Sequence, residues 1–196
     1  MAERKEGVTG SRARSDSQRR NRSRDRVEEE KEELDERVID ITRVAKVVKG
    51  GRTFGFRVTA VVGDNAGQVG MGIGKARTVP DAIAKATQRA RKDMHPIPLE
   101  GTTIPHEVLG VCSGARVMLR PATQGTGVIA GGGVRAVLGA AGVRDVLTKS
   151  LGSATAVNVV RATMDALDQL RRVEELAEER GKPVAEVMPF WRRRRS

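Results

Sequence analysis

Residues 67–80 read GQVGMGIGKARTVP and decide the fold of the first half of the chain. Apolar side chains alternate there with Gly70, Gly72 and Gly74, and this period of two predicts a strand with one apolar face and one face of bare backbone. A strand without side chains on one face allows a close approach to its backbone. The sequence leaves open whether a nucleic-acid backbone or another element of the protein makes that approach.

Two more strands are predicted upstream of this stretch. One covers residues 39–48. In the other, apolar and mostly polar residues alternate from Thr53 to Val62, as expected of a half-buried strand. The residues between the two strands include Gly50 and Gly51, a pair typical of a hairpin turn in which both glycines take a positive φ.

A helix is predicted to begin near Pro80, because proline is tolerated in the first helical turn. Apolar residues recur at helical spacing through residues 79–94. Lys85, Arg89 and Lys92 share one other face, within about 60° of each other and roughly 120° from the apolar stripe. Three strands followed by a helix with a basic face resemble a double-stranded-RNA-binding domain, which reads A-form shape and phosphates. The alternative is that the basic face of the helix is only solvated and binds no nucleic acid.

The composition limits how this chain can bind nucleic acid. The chain has 196 residues, a net charge of +11 and an aromatic content of only 2%. Proteins that read single strands by base stacking need several exposed rings, so this mode of binding is excluded. The basic excess is concentrated in residues 41–100, which carry eleven basic and four acidic side chains. This distribution favours contacts with phosphates.

The same inventory excludes other classes of protein. One cysteine rules out a disulfide framework, and with two histidines it supplies too few ligands for a four-ligand structural zinc site. The sequence shows neither an 18-residue apolar stretch nor a secretory signal. We therefore predict a chain that does not cross a membrane and works in the cytoplasm.

The two ends differ in composition from the rest of the chain. Residues 1–33 comprise an Arg/Ser-rich arm, residues 1–26, and an acidic run from Glu28 that is expected to form a solvated helical turn as far as Glu36. The arm has hardly an apolar residue to bury and is predicted to be disordered when free. The arm either binds phosphates or only increases the solubility of the protein. Residues 189–196 form a basic tail of similar character.

Residues 99–188 are predicted to form a second domain of α/β or α+β type. Pro96 and Pro98 end the helix of the first domain, residues 34–98, and begin a linker. The second domain is expected to contain a short helix after the glycine-rich segment 121–133 and a longer helix near residue 160. Its strands are expected at residues 104–111, 115–120 and 143–149, and the buried residues of the longer helix are Val157, Val160, Met164 and Leu167.

The glycine-rich segment does not fit a nucleotide-binding motif. The residues around Gly74-Lys75 fail the phosphate-loop spacing, and after Gly125 the third glycine of a dinucleotide fingerprint falls one position late. His95 and His106 flank prolines with no carboxylate pairing suggested, and Cys112 has no recognisable base. We therefore predict no enzyme activity, no catalytic residue, no cofactor, no metal and no small-molecule substrate.

Four motifs in a fixed order together resemble bacterial small-subunit ribosomal protein five. They are Val47 to Arg52, Gly67 to Pro80, Pro121 to Gly133 and Asn158 to Thr163, and the resemblance extends over about residues 34–188. It implies an α+β protein. Its N-terminal domain is double-stranded-RNA-binding-like, a three-stranded antiparallel sheet plus a helix. Its C-terminal domain has the βαβ-type, ribosomal-protein-five domain 2-like fold that some small-molecule kinases share.

The resemblance also implies a location and a set of partners. A member of this family is a structural constituent of the small ribosomal subunit, bound to small-subunit ribosomal RNA and bridging head and body. It lies near the messenger RNA entry path, contacts ribosomal proteins four and eight, and contributes to translational accuracy with protein four. Its N-terminal hairpin loop approaches the neck helix of the RNA, where spectinomycin binds.

The predicted site residues fall into three groups. Ala45, Lys49, Gly50 and Gly51 form the loop expected near the drug site. Gly127 and Arg135 match the positions expected at the interface with ribosomal protein four. The residues expected to bind RNA are Arg43, Lys46, Lys49, Gly50, Gly51, Arg52, Lys75, Arg77, Lys85, Arg89 and Lys92.

Both ends of the chain depart from the shorter forms of the family. The resemblance says nothing about the arm, residues 1–26, or the tail from Trp191 to Ser196. Two other functions stay open. One is an enzyme like the small-molecule kinases on the same second-domain fold, against which residues 125–133 offer no acidic residue. The other is a free-standing duplex-RNA chaperone.

Overall fold

A computed structural model describes residues 34–187. The predictions for residues 1–33 and 189–196 lie outside these described residues. From Asp35 to Val187 the chain forms one compact unit, built from two four-stranded sheets and five helices. The mixed α+β class predicted from the sequence is confirmed. The division into domains at residues 98 and 99 stays a prediction.

The first sheet has the strand order β1-β2-β3-β4 and is antiparallel throughout. The linker predicted to begin at Pro96 and Pro98 does not include Pro96, because His95 and Pro96 pair with Val69 and Gln68 as the edge strand β4. The acidic residues Asp35 and Glu36 belong to a strand rather than to a helical turn. The elements are β1 (Asp35–Val48), β2 (Gly51–Gly63), β3 (Gln68–Ala76), α1 (Val79–Lys92) and β4 (His95–Pro96).

The turn between β1 and β2 contains two residues, Lys49 and Gly50. Val48 pairs directly with Gly51, so Gly51 is the first residue of β2. Gly50 has a φ of +99°, a conformation that glycine adopts at no steric cost. The prediction of a positive φ at Gly51 is wrong, because pairing in the ladder keeps this residue extended.

Helix α1 lies directly on the glycine face of β3. A Cβ atom added at Gly70, Gly72 or Gly74 would collide with a backbone carbonyl oxygen of the helix. The helix in turn presents only alanines to these glycines, at Ala82, Ala86 and Ala90. The element that approaches the bare backbone of β3 is therefore part of the protein and not a nucleic acid.

The second half of β2 is buried on both faces, so the prediction of a half-buried strand is wrong from Val58 to Gly63. Val58 packs against α1, as the alternation predicts. Val61, on the opposite face, belongs to a core cluster that extends into the second half of the chain. A Cβ atom at Gly63 would collide with the carbonyl oxygen of Ala140. The second half of the chain therefore covers the face of the sheet that the pattern assigns to solvent.

The second sheet has the order β5-β6-β8-β7, in which β7 runs parallel to β8 and the other pairs are antiparallel. The parallel pair is connected through a helix, which gives the βαβ unit predicted for this half. The four residues predicted to be buried in the longer helix are all buried. The elements are β5 (Val108–Cys112), β6 (Ala115–Pro121), β7 (Val128–Ile129), α2 (Gly132–Ala140), β8 (Val146–Gly152), α3 (Ala156–Asp168), α4 (Val173–Arg180) and α5 (Val184–Val187).

Candidate nucleic-acid interface

The β1–β2 hairpin projects beyond the rest of its sheet. The last pair between β2 and β3 joins Phe56 to Ala76, whereas β1 and β2 stay paired for five further residue pairs, from Val44 and Gly55 to the turn. At about 3.3 Å per residue the hairpin extends roughly 16 Å past the end of β3. Its tip is exposed on both faces, and Val47 is 75% exposed.

The four cations of this hairpin are exposed, and one of them contacts an aromatic ring. The guanidinium carbon of Arg43 lies 3.8 Å from the centroid of the Phe54 ring, at the distance of a cation–π contact. Lys46, Lys49 and Arg52 are exposed near the turn. The contact with Phe54 orients one guanidinium, and the other three cations extend from the projecting tip.

The basic face predicted on the helix is present on α1. Lys85, Arg89 and Lys92 are all exposed. Nη1 of Arg89 donates a hydrogen bond to the carbonyl oxygen of Ile73, so this side chain leans over the open edge of β3. Lys75 and Arg77, at the end of β3 and in the turn after it, are also exposed.

The predicted RNA-binding cations differ in their ionic partners from five other cations of the described range. Within residues 34–187, carboxylates pair with Arg37, Arg91, Arg120, Arg171 and Lys182. In the same range none of the nine predicted cations, on the hairpin, at the end of β3 and on α1, forms an ion pair with a carboxylate. Their charge is therefore not neutralised by an ion pair within the described range and is available to an external anion.

One cation at this surface was missed by sequence reasoning. Arg161 lies on α3, in the second half of the chain, and lines a shallow groove together with Arg89 and Lys92 of α1. Met71, Gly72 and Ile73 of β3 also line this groove, as does Asp93. Arg161 occurs within a motif quoted for the family resemblance, but no local pattern indicates that it meets α1.

His95 has a carboxylate partner, which corrects the expectation from its proline-rich surroundings. Nε2 of His95 lies 2.7 Å from Oδ1 of Asp168, an ion-pair distance without the alignment of a hydrogen bond. Nδ1 of the same ring lies 3.1 Å from the carbonyl oxygen of Asp93. The contact joins β4 to the end of α3, so it holds the two halves together.

The loop that carries Gly127 is organised by a buried carboxylate, Asp145. Oδ1 of Asp145 accepts hydrogen bonds from the backbone nitrogens of Gly127, at 2.9 Å, and Gly125, at 3.0 Å. The hydrogen bond from Gly127, reinforced by one from the side chain of Thr102, lowers the pKa of Asp145, although burial opposes this shift. Asp145 was not predicted, because its partners are distant in sequence.

Arg135 sits close to this loop, on the first turn of α2. Its Nη2 donates a hydrogen bond to the carbonyl oxygen of Val128, at 3.1 Å, and the side chain is exposed. Space is open around Gly127, where an added Cβ atom would meet nothing within 4 Å. Gly127 and Arg135 therefore lie at one surface, separate from the cations of α1 and the hairpin in sequence and in element.

Two kinds of feature are missing from the part of the chain that the structure describes. No group of three or more His, Cys, Asp or Glu side chains in residues 34–187 converges to hold a metal ion. None of the helices in that range is both long and apolar enough to cross a membrane.

Comparison with known proteins identifies relatives for both halves. The sequence profile described as "Ribosomal protein S5, N-terminal domain" matches residues 34–98, and that of "Ribosomal protein S5, C-terminal domain" matches residues 110–180. A curated relative from Rubrobacter xylanophilus, named small ribosomal subunit protein uS5, is 58% identical over 152 residues. This match covers 78% of the chain and 76% of the relative.

Proposed function

The chain belongs to the ribosomal protein S5 family, and on this premise we propose that it is a structural component of the small ribosomal subunit that binds ribosomal RNA. Membership confirms the resemblance drawn from the four motifs. It also confirms that the chain is a ribosomal protein rather than an enzyme, and that it works in the cytoplasm as part of the ribosome.

The observation that supports RNA binding through the first half is the unpaired cationic surface. Nine exposed cations on the hairpin, at the end of β3 and on α1 lack carboxylate partners within the described range. Arg161 continues this surface onto the second half. Flexible cations around a rigid sheet and helix suit the phosphates of a folded A-form RNA, which is read by shape.

The projecting hairpin supports a finer assignment. A two-stranded ribbon about 16 Å long is narrow enough to reach into a cleft between RNA helices while the sheet stays outside. We assign Ala45, Lys49, Gly50 and Gly51 to the neck helix near the spectinomycin site. The protein then bridges head and body near the messenger RNA entry path.

A second face is assigned to protein neighbours. The open space at Gly127 allows the backbone of a protein partner to come close, and the exposed guanidinium of Arg135 can pair with a carboxylate of the same partner. We assign this face to ribosomal protein four, with a contribution to translational accuracy, and ribosomal protein eight as a further neighbour. Arg135 then restrains the relative movement of two proteins rather than binding RNA.

Salt dependence of RNA binding tests the cationic surface. The full chain is titrated with a structured small-subunit RNA fragment over a range of salt concentrations. Lys85→Ala and Arg89→Ala are each expected to weaken binding. Each should also reduce the slope of log affinity against log salt by about 0.7–0.9 for every phosphate that the variant no longer neutralises.

Arg171→Ala is the matched control, because Arg171 is also exposed but pairs at 2.9 Å with Glu179 on α4. It is expected to leave the slope unchanged. Unchanged slopes in both α1 variants would refute the assignment of this face to phosphates.

A further inference from the structure

The outer face of the second sheet is apolar and uncovered within the described chain. Helices α2 and α3 cover the opposite face, where a Cβ atom at Gly110 would collide with the carbonyl oxygen of Ala162. On the outer face, five large apolar side chains are between 40% and 53% exposed. They are Leu109, Val111, Ile129, Leu147 and Leu151.

The strand register makes these residues one continuous patch, the outer-sheet patch. Leu109 on β5 pairs with Met118 on β6. Arg120 on β6 pairs with Leu147 on β8, and its side chain forms an ion pair with Glu107. Ile129 pairs with Leu147, so the patch crosses all four strands. At strand spacings of about 4.8 Å and about 3.3 Å per residue it covers on the order of 300 Å². The largest exposed patch on a monomeric protein is often of about this size, and it is often functional.

The charges within the outer-sheet patch have one sign. Arg116, Arg120 and Lys149 alternate with the apolar residues in the register of β6 and β8. Arg120 pairs at 3.0 Å with Glu107, which lies just before β5 at the rim. Arg116 and Lys149 form no ion pair with any residue in the range 34–187. The patch therefore offers apolar surface together with two uncompensated cations.

These properties select one occupant. A second copy of the chain docked through the same patch would place cations against cations, which is unfavourable. An RNA backbone would satisfy Arg116 and Lys149 but would leave the leucines facing phosphates, and the patch has no ring on which a base can stack. A protein surface with apolar side chains flanked by carboxylates complements both features.

We propose that the outer-sheet patch is the centre of an interface with another protein whose contact surface is apolar and acidic. This contact differs from the one assigned to Gly127 and Arg135, because Arg135 lies on α2, whose buried residues Val134 and Val137 belong to the core on the covered face of the sheet. A patch of this size is smaller than the roughly 800 Å² that each partner buries in a standard interface, so it forms the core and polar neighbours form the rim.

A zero-length carbodiimide cross-link tests the proposal, because it joins an amine only to a carboxylate in direct contact. Small subunits are purified from cells that express the tagged full chain, and presence of the chain in them tests the proposed ribosomal function separately. In these subunits we expect Lys149 to cross-link to an Asp or Glu of another protein, identified by mass spectrometry. Lys149→Arg keeps the charge but removes the amine, and must abolish this product.

Two further variants distinguish the patch from an isolated lysine contact. Arg116→Glu reverses one charge of the patch and is expected to reduce the Lys149 product at least tenfold, whereas Arg180→Glu on α4 leaves it unchanged. Leu109→Ser combined with Leu151→Ser is expected to reduce it similarly. Val184→Ser, at an apolar residue that is 37% exposed elsewhere, is the control for that change.

Three results would overturn the proposal in subunits that contain the tagged chain. The first is that Lys149 yields no link to another protein. The second is that it links only to a second copy of this chain. The third is that ultraviolet cross-linking joins the patch to RNA instead.

Discussion

Replacing Gly72 by alanine tests how closely α1 is seated on β3. The added Cβ atom would collide with the carbonyl oxygen of Ala86 and lie 2.5 Å from the backbone nitrogen of Ala90. Both neighbours are backbone atoms of a helix and cannot rotate away. The helix must therefore move about 1 Å off the sheet, a gap that forfeits a quarter to a half of the dispersion attraction between the facing atoms.

The size of the effect follows from two opposing contributions. Overpacking of a closely packed core costs typically 1–3 kcal/mol, and backbone neighbours place Gly72→Ala at the upper end of that range. Alanine in place of glycine in a strand recovers about 0.5–1 kcal/mol of conformational entropy. The free energy of unfolding is thus expected to fall by about 2 kcal/mol, and the melting temperature by roughly 4–8 °C.

Urea denaturation of the full chain, followed by far-ultraviolet circular dichroism, measures this change. Gly51→Ala is the matched control, because Gly51 is also in a strand but has nothing within 4 Å of an added Cβ atom. The control gains the same conformational entropy without a collision, so it is expected to be more stable than the parent chain by up to about 1 kcal/mol. If Gly72→Ala behaves like Gly51→Ala, the helix does not pack directly against the glycine backbone of β3.

Three other predictions concern the hairpin, the Asp145 loop and the second face. Gly50→Val, at a φ of +99°, should strain the turn by about 1–2 kcal/mol and alter chemical probing of the neck helix in assembled subunits, and an unaltered probing pattern would contradict the assignment of the loop. Asp145→Asn should lower the melting temperature at neutral pH. The lowered pKa of Asp145 gives stability that is present above its unfolded value near 3.8 and is lost as pH falls through the folded value, so the melting temperatures of the parent chain and of Asp145→Asn should converge as the pH falls below 3.8; a constant difference contradicts this. Arg135→Leu should raise near-cognate misreading in a reporter assay while subunits still sediment normally, and unchanged misreading would exclude the assigned interface.

The sequence by itself determined the three long strands and the helix of the first half, together with the exposed basic face of that helix. The glycine alternation in residues 68–76 and the alanine spacing in α1 are both local periods, set by the geometry of a strand and of a helix. The same periodicity placed Lys85, Arg89 and Lys92 on one exposed face. These features depend only on residues a few positions apart, so they can be predicted from the sequence without knowledge of the fold.

Only the tertiary structure shows which residues of the two halves contact each other. It covers the second face of β2 near Val61, brings Arg161 beside Arg89, and joins His95 to Asp168. It also places Asp145 against the backbone of the glycine-rich loop. Each of these contacts joins residues far apart in the chain, and their proximity depends on how two sheets dock, which no local hydrophobic period encodes.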